Sequence, residues 1–189
     1  MLYGICNLSI VSLRATASDL SEMVSQVLFG ETFEIIEEDK EWSKIRLTFD
    51  NYEGYINNKQ FIKITENTFS NLIAKKPFYS GEILDFITNN KNELTTIPIG
   101  ASLPFYNQGK LQINEETYFY EGTVLSEKKS KKEILQTAFN YLNTPFLWGG
   151  KTPFGIDCSG FTQMVYKLCG YHLLRDAKEQ ATQGEVLSF

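Results

Sequence analysis

The eleven residues Gly149-Gly-Lys-Thr-Pro-Phe-Gly-Ile-Asp-Cys-Ser159 end on a cysteine at the start of a predicted helix. Apolar residues follow at helical spacing: Phe161, Val165, Leu168 and Cys169. Gly170 predicts the end of this helix. Cys158 therefore falls in the first turn, where unpaired backbone N–H groups and the positive end of the helix dipole favour an anion. Since the thiolate is the reactive form of cysteine, the stretch indicates a thiol nucleophile.

Two structural alternatives stay open for this stretch. Cys158 can be a buried cysteine at a helix start, although the flanking glycines favour the nucleophile. Asp157 can serve only as the N-cap of the helix, which its place directly before the first turn would explain unaided. We interpret Trp148 as a packing residue near the site, and Cys6 and Cys169 as small hydrophobic residues inside a strand and a helix.

Composition excludes several classes of protein. The 189 residues are 42% hydrophobic and 22% charged with a formal net charge of -5, so no nucleic-acid partner is expected. No apolar run approaches the ~18–20 residues of a membrane span. Three widely spaced cysteines predict no disulfide framework. The N-terminus lacks the features of a signal peptide, so we expect a cytoplasmic protein, unless a leader precedes this sequence.

The first ~65 residues are strand-rich by pattern. We predict strands over Phe33–Glu38 and Lys44–Phe49, a turn at Asp50-Asn51, and a returning strand over Tyr52–Ile56. The residues from Met1 to Ile10 are interpreted as the first strand.

A weak internal repeat follows this first region. Phe29-Gly-Glu-Thr-Phe33 resembles Ile99-Gly-Ala-Ser-Leu103, and Tyr52-Glu-Gly54 recurs as Tyr120-Glu-Gly122. Two landmarks at similar separation predict two small β-barrels in tandem. We place the regions at 1–66, 67–127 and 128–189, the third being α-rich.

The third region opens on a basic hinge, Lys128-Lys-Ser-Lys-Lys132, which we interpret as a solvated linker rather than a binding patch. Ser130 and Glu133 have the spacing of a capping box. The helix after it is predicted to present one apolar face, made of Ile134, Leu135, Ala138, Phe139, Tyr141 and Leu142.

Three motifs of the third region resemble the NlpC/P60 cysteine peptidases: Thr144-Pro-Phe-Leu-Trp-Gly-Gly150, the Pro-Phe-Gly-Ile stretch, and Asp157-Cys-Ser-Gly-Phe161. The first β region resembles bacterial SH3 (SH3b) modules, which usually bind cell wall or peptides. The resemblance implies an α+β multidomain fold, with two SH3-like β-barrels before the helical N-terminal part of a papain-like domain. The tandem arrangement is most similar to γ-D-glutamyl-L-diamino acid endopeptidases, whose substrates are peptidoglycan stem peptides.

The resemblance implies roles at five positions. Cys158 matches the nucleophile, while Asp157 and Ser159 match residues that line the substrate pocket. Asp176 matches a carboxylate that helps to hold the free amino terminus of the substrate, and Tyr52 matches a tyrosine that closes the pocket to longer substrates and favours a free N-terminal L-Ala. Alternatives remain, since Asp176 with Glu179 also has the pattern of a helix cap, and Tyr52 can be a core or surface aromatic.

One position departs from the family pattern. Relatives often carry Ser after the substrate-binding Asp, whereas this chain has Ala177, which puts one expected hydrogen bond in doubt.

The general base is the missing element. His172 is the single histidine, only fourteen residues after Cys158, and we interpret it as a loop or surface residue. The family's histidine would lie on a strand beyond Phe189. We interpret the residues after Gly184 as leading into the first strand of that missing sheet. We therefore expect a peptidase truncated at its C-terminal side and inactive in this form, with no metal or other cofactor. A non-catalytic protein that binds peptidoglycan fragments or muropeptides, and an amide-bond transferase using the same thiolate, remain as alternatives.

Overall fold

The computed structural model describes residues 1–185, and its first β region is one antiparallel sheet of seven strands. The strands are β1 (Leu2–Ile5), β2 (Ile10–Arg14), β3 (Met23–Leu28), β4 (Thr32–Glu38), β5 (Trp42–Leu47), β6 (Glu53–Asn57) and β7 (Ile62–Ile64). Their order across the sheet is β3-β2-β6-β5-β4-β1-β7. The predicted first strand over 1–10 is in fact β1, a short connection and the start of β2.

The hairpin of β5 and β6 follows its sequence pattern closely. Ile45 and Leu47 are buried on one face, as the alternation predicts. The turn lies at the predicted place, with Asn51 at φ 58° and the Asp50 carboxylate accepting a hydrogen bond from the Tyr52 N–H at 3.1 Å. Strand β5 ends at Leu47, so Phe49 belongs to the turn and not to the strand.

The second β region contains a four-stranded antiparallel sheet and a separate strand pair. The sheet has the order β10-β9-β12-β11, and the pair joins β8 to β13. The strands are β8 (Tyr79–Ser80), β9 (Leu84–Asn89), β10 (Leu94–Pro98), β11 (Lys110–Ile113), β12 (Glu116–Phe119) and β13 (Val124–Leu125). A helix that the sequence did not predict, α1 (Glu66–Ile73), connects the two β regions and begins after a Thr65 cap.

One landmark of the internal repeat has the same backbone geometry in both copies. Gly30 and Gly100 both adopt positive φ, +75° and +81°. The backbone of Cys6 accepts from the Gly30 N–H and donates to the carbonyl of residue 31, and Ser80 makes the same two bonds with residues 100 and 101. The second landmark differs, because Gly54 lies inside β6 and the glycine at 122 lies in a loop. The arrangement as two barrels stays a prediction.

The hydrophobic core does not stop at the predicted boundary between the β regions. One buried cluster combines residues of both regions, among them Tyr3, Ile5, Phe29, Ile87, Leu103 and Leu111. A second cluster lies within the first region, around Val27, Phe33 and Ile45. The two β regions are therefore packed against each other through apolar side chains.

The third region is helical with one small hairpin. Its elements are α2 (Lys131–Ala138), a 3₁₀ turn (Phe139–Tyr141), β14 (Lys151–Thr152), β15 (Gly155–Ile156), α3 (Cys158–Leu168) and α4 (Ala177–Gln180). The Ser130–Glu133 capping box is present at the start of α2, and Gly170 ends α3 at φ +78° as predicted. A third buried cluster packs Met164 and Leu168 of α3 against Leu28 and Ile99 of the two β regions.

The predicted apolar face after Ser130 is wrong in part. The helix stops at Ala138, and only Ile134, Ala138 and Tyr141 pack on the core. Leu135, Phe139 and Leu142 are 68%, 69% and 67% exposed. Leu135 directly follows Ile134, so the two side chains point about 100° apart around α2. The change to a 3₁₀ turn after Ala138 interrupts the helical spacing, and of the later residues only Tyr141 stays on the core.

No helix within residues 1–185 is long and apolar enough to span a bilayer. The predicted approach to a strand after Gly184 lies largely outside the described residues.

Gly30 offers a direct test of how closely the β regions are packed. A Cβ at this position would lie 2.2 Å from the backbone oxygen of Ser102 in the second region, whereas the nearest atom to a Cβ on Gly109, also at positive φ, is 3.5 Å away. We expect Gly109→Ala to lower the free energy of unfolding by about 1–2 kcal/mol, the cost of the left-handed backbone. Gly30→Ala should lower it by about 2–5 kcal/mol, because a backbone clash is added. Urea unfolding measures both, and equal losses would contradict the close approach.

Candidate active site

Cys158 is the first residue of α3, and its side chain is exposed. The close approach of two glycines sets its backbone, since a Cβ on Gly160 would lie 2.3 Å from the Gly150 carbonyl oxygen. The exposed thiol therefore stands at the helix end where the dipole and the free N–H groups favour an anion. The alternative of a buried cysteine at the helix start is wrong.

The Asp157 carboxylate is the N-cap of α3 and accepts hydrogen bonds from five donors. They are the N–H groups of Gly149 and Gly160, the Ser159 hydroxyl and two nitrogens of Arg175, at distances of 2.6–3.2 Å. Burial opposes ionisation of Asp157, but the Arg175 guanidinium and the backbone N–H groups outweigh it and lower its pKa. Asp157 is thus a fixed anion that positions the helix start. Its predicted contact with substrate stays a prediction.

Arg175 is the residue of the site that sequence reasoning missed. Its side chain is 1% exposed and holds Asp157 through both terminal nitrogens. The third nitrogen, Nε, donates to the Ser25 hydroxyl in β3 at 3.0 Å. One feature of the sequence indicated its importance, its position next to Asp176. The residues around Arg175 do not indicate that its partners, Asp157 and Ser25, lie far away in the chain.

Tyr52 and Asp176 come together at the same place, although they are far apart in sequence. Asp176 caps α4 in a capping box with Glu179, so the structural alternative for this residue is correct. The Tyr52 ring is half-buried, and burial together with the facing Asp176 carboxylate raises the pKa of Tyr52. Asp176 directly follows Arg175, the buried residue that holds the Asp157 cap at the start of α3.

The third region is held on the first by a buried carboxylate, Glu31. This side chain is 5% exposed and accepts from the Lys167 ammonium at 2.6 Å, from the Lys151 ammonium at 3.4 Å and from the Leu28 N–H at 2.9 Å. Burial would raise the pKa of Glu31, but the two lysines overcome it and lower the pKa to about 2. Burial also lowers the pKa of Lys151, which Glu31 only partly offsets.

Further polar contacts cross the same interface. Gln163 donates to the Asp50 carboxylate at 2.8 Å, and the Lys151 N–H donates to the Gln26 side chain at 2.7 Å. The first region thereby contacts both β14, which precedes Cys158 in the chain, and α3, which begins with Cys158.

Two features of the 148–150 segment add to this interface. Gly149, at φ +75°, lies so close to β3 that a Cβ would be 2.4 Å from the Met23 carbonyl oxygen. Trp148 is 61% exposed and donates from its indole N–H to Glu22 at 2.6 Å. The interpretation of Trp148 as a packing residue is therefore wrong, because it contributes a polar contact at the surface.

His172 lies in the loop after α3, exposed, with its ring against Phe49 and its Nε2 at the Phe49 carbonyl oxygen. It lines a cavity of about 900 Å³ together with Lys167. Since Cys158 and Lys167 are nine residues apart, about two and a half helical turns, they project from opposite faces of α3. His172 thus lies on the same side of α3 as Lys167, which is the side opposite to the Cys158 thiol.

The remaining cysteines are buried as small hydrophobic residues, as predicted, but Cys6 follows the end of β1 and Cys169 is the C-cap of α3, so neither lies inside a strand or a helix. Cys6 and Cys169 are fully buried, and burial raises the pKa of Cys6 to about 12. Within residues 1–185 no three side chains of the His, Cys, Asp and Glu types are grouped as metal ligands would be.

Two parts of the chain match known protein families. Residues 13–61 match the bacterial dipeptidyl-peptidase SH3 domain, and residues 143–188 match the NlpC/P60 family. The chain therefore contains an SH3 domain of this bacterial type and an NlpC/P60 region, as the motifs predicted.

The chain is also similar to curated peptidases along most of its length. It is 30% identical over 183 residues to gamma-D-glutamyl-L-lysine dipeptidyl-peptidase of Bacillus subtilis (strain 168), covering 85% of this chain and 58% of that protein. It is 28% identical over 187 residues to dipeptidyl-peptidase 6 of Lysinibacillus sphaericus, covering 84% of this chain and 66% of that protein. The chain thus spans about three-fifths of the length of these relatives.

Among solved structures, an NlpC/P60 family protein from Bacillus cereus ATCC 10987 superposes with a TM-score of 0.84 at 16% sequence identity. The match covers 98% of this chain and 78% of that protein, and it shows that the fold is shared.

Replacement of Glu31 tests the buried interface. Glu31→Gln leaves two buried ammonium groups without a carboxylate, so we expect the free energy of unfolding to fall by about 3–5 kcal/mol at pH 7. The folded pKa of Glu31 lies below its ordinary value of 4.5, so its contribution is complete above that pH and is lost as the pH falls towards about 2. The gap between wild type and variant should therefore narrow in acid, as followed by urea unfolding across pH.

Glu53→Gln is the matched control, because Glu53 also contacts two cations, Lys44 and Arg46, but at the surface. Its loss should be far smaller, since water solvates the exposed groups. Similar losses for the two variants would contradict the role of burial at Glu31.

Proposed function

We propose that this chain, with its SH3 domain and NlpC/P60 region, is the part of a cysteine peptidase that carries the nucleophile and the substrate pocket. The substrate would be a peptidoglycan stem peptide, cut at the γ-D-glutamyl–diamino acid bond. The observation that carries the proposal is the exposed Cys158 thiol in the first turn of α3, fixed by the buried Asp157–Arg175 pair. The names of the two peptidase relatives support the substrate class.

In the proposed reaction the Cys158 thiolate attacks the carbonyl carbon of the γ-D-glutamyl residue. Backbone N–H groups at the start of α3 would stabilise the negative charge on the carbonyl oxygen. The C–N bond then breaks, the amine leaves with a proton from a general acid, and a thioester to Cys158 remains. Water hydrolyses this thioester and releases the free carboxylate and the thiol.

The geometry favours recognition of a free amino terminus by Asp176. The five hydrogen bonds to Asp157 occupy that carboxylate, whereas the Asp176 side chain keeps 35% of its surface exposed and faces Tyr52. An ammonium group bound at Asp176 would be attracted by the negative carboxylate. The Tyr52 ring beside it would block longer peptides. Such a pocket would select peptides with a free N-terminal residue such as L-Ala.

The general base is proposed to come from polypeptide outside residues 1–185. His172 lies on the side of α3 opposite to Cys158, against Phe49, so it is not placed to take the Cys158 proton. Phe161, on the thiol's face of α3, is 37% exposed, and Phe146 and Phe154 in the segment before α3 are 71% and 54% exposed. A segment that covers Phe161 would lie on the side of α3 that carries Cys158. Alone, the described residues should form the thioester more readily than they turn over amide substrates.

The position of His172 also supports the second candidate, a non-catalytic protein that binds peptidoglycan fragments. In that case the Tyr52–Asp176 pocket would bind the peptide and Cys158 would not react with it. The two candidates differ in whether an acyl group is transferred to sulfur.

An activated substrate decides between the candidates. We expect L-Ala-γ-D-glutamyl p-nitrophenyl ester to release about one equivalent of nitrophenol per chain in a burst, because this leaving group needs no general acid. Intact mass should show one acyl group on Cys158. The corresponding peptide amide should be hydrolysed far more slowly.

Cys158→Ala should abolish the burst, while Cys6→Ala, at a buried thiol, should retain it. A burst that survives Cys158→Ala would refute the nucleophile. Binding of the dipeptide without any acyl transfer would favour the non-catalytic candidate.

Asp176→Asn tests recognition of the amino terminus. Asparagine caps a helix as well as aspartate does, so α4 should be preserved while the negative charge is lost. We expect L-Ala-γ-D-Glu to protect Cys158 from iodoacetamide, and the variant to weaken this protection by about fivefold to tenfold. N-acetyl-L-Ala-γ-D-Glu, which has no ammonium group, should protect wild type and variant equally poorly. Equal protection by the free and acetylated peptides would exclude the proposed contact.

A further inference from the structure

The cavity of about 900 Å³ lies where the three regions of the chain meet, and it is separate from the candidate active site. Its walls come from the turn after β5, from the loop that follows Ser102 in the second region, and from the end of α3 with the loop at Tyr171. Neither Cys158 nor Tyr52 nor Asp176 lines it. We call it the junction cavity.

Two linker segments form a basic rim on this cavity. The ammonium of Lys76 pairs with the Glu127 carboxylate, so the segments 75–77 and 126–128 run side by side. Lys128 is the first residue of the basic hinge that the sequence indicated as a solvated linker. Lys128 is exposed, and it also lines the cavity.

Two of the lysines at the cavity have no carboxylate partner within residues 1–185. Lys75 Nζ lies 4.8 Å from the centre of the Phe105 ring, and Lys128 Nζ lies 4.5 Å from the centre of the Tyr171 ring. Both side chains are exposed, and each ammonium lies over the face of an aromatic ring, which attracts the cation without neutralising its charge. Two ammonium groups are thereby held ready for an anion.

The charge of the cavity is opposite in sign to that of the chain. Four lysines and two glutamates line it, and Lys167 and Lys76 are already paired with Glu31 and Glu127. An excess of two positive charges remains, in a chain whose formal net charge is -5. Such a local field favours an anionic ligand.

The walls between these charges are aromatic and apolar, which narrows the class of anion. Phe49, Phe78, Tyr79, Phe105, Tyr106 and Tyr171 all line the cavity. No arginine does, although arginine is the side chain best suited to hold phosphate in a bidentate manner. The volume is that of a pocket for a small ligand or short peptide. Carboxylates carried on an apolar backbone fit these walls better than a phosphate polymer does.

We propose that the junction cavity is a second binding site, which takes a short peptide carrying at least two carboxylates. Lys75 and Lys128 bind the carboxylates, and the aromatic walls pack against the apolar parts of the peptide. The site goes beyond the proposed function, because it does not require Cys158 to react or the amino terminus of the ligand to be free.

The experiment uses an N-acetylated probe, so that a pocket for a free amino terminus does not compete. The probe is Ac-Glu-Phe-Glu-NH₂, and its neutral control is Ac-Gln-Phe-Gln-NH₂. Calorimetry measures the affinity, and amide chemical shifts of the ¹⁵N-labelled chain locate the site. We expect shifts at residues 75–77, 126–128 and 171–172, weaker affinity at higher salt, and little binding of the neutral peptide.

Lys75→Gln combined with Lys128→Gln should weaken binding of the acidic probe by roughly threefold to thirtyfold. The matched control combines Lys40→Gln with Lys59→Gln, two exposed lysines that do not line the cavity, and should change the affinity by less than about twofold. Thermal unfolding confirms that each double variant is folded.

Several results would overturn the proposal: no binding of the acidic probe, equal binding of the neutral probe, equal loss in both double variants, or shifts centred on Cys158. Tighter binding of polyphosphate through Lys75 and Lys128 would assign the cavity to phosphates instead. None of these results affects the acyl-transfer test at Cys158, so the two proposals can fail independently.

Discussion

The position of Cys158, the proposed nucleophile, depends on one buried carboxylate in another region of the chain. Glu31 holds Lys151 before Cys158 in the chain and Lys167 after it, and all three side chains are almost fully buried. A buried charge is costly unless it is paired, so both lysines are held close to the Glu31 carboxylate, and loss of that carboxylate would leave two buried ammonium groups without it. The arrangement specifies a position more than it adds net stability. The first β region is therefore the support on which β14 and α3 are assembled.

A second charge pair applies the same constraint at the thiol itself. Arg175 joins the Asp157 cap to Ser25 of β3, and the next residue, Asp176, meets Tyr52 of the first region. The pocket proposed for substrate thus lies on the seam between two regions. Its shape depends on their docking, which buried polar contacts fix more tightly than apolar contacts, because hydrogen bonds and ion pairs require particular distances and directions.

The sequence predicts those features whose partners are near in the chain. The Asp157 and Ser130 caps, the turn at Asp50-Asn51 and the end of α3 all depend on residues within a few positions, and all are confirmed. The roles of Arg175 and Glu31 could not be predicted, because their partners are far away in sequence and no periodicity marks a polar contact. The exposure of Phe139 was missed for a related reason. A periodic pattern shows that a helix has an apolar face, but it does not show which of those side chains pack against another part of the protein.

The helix α3 separates two chemically different sides of the molecule. Its buried face presents Gln163 and Lys167 to the β regions, with the junction cavity and His172 beyond them. Its other face carries Cys158 and the partly exposed Phe161. Any group that acts on the thiol must approach from this second side, because the first is closed by packed side chains and ion pairs. A peptide bound at the proposed junction site would therefore not reach the thiol, while the exposed face of α3 leaves the thiol accessible to the proposed general base.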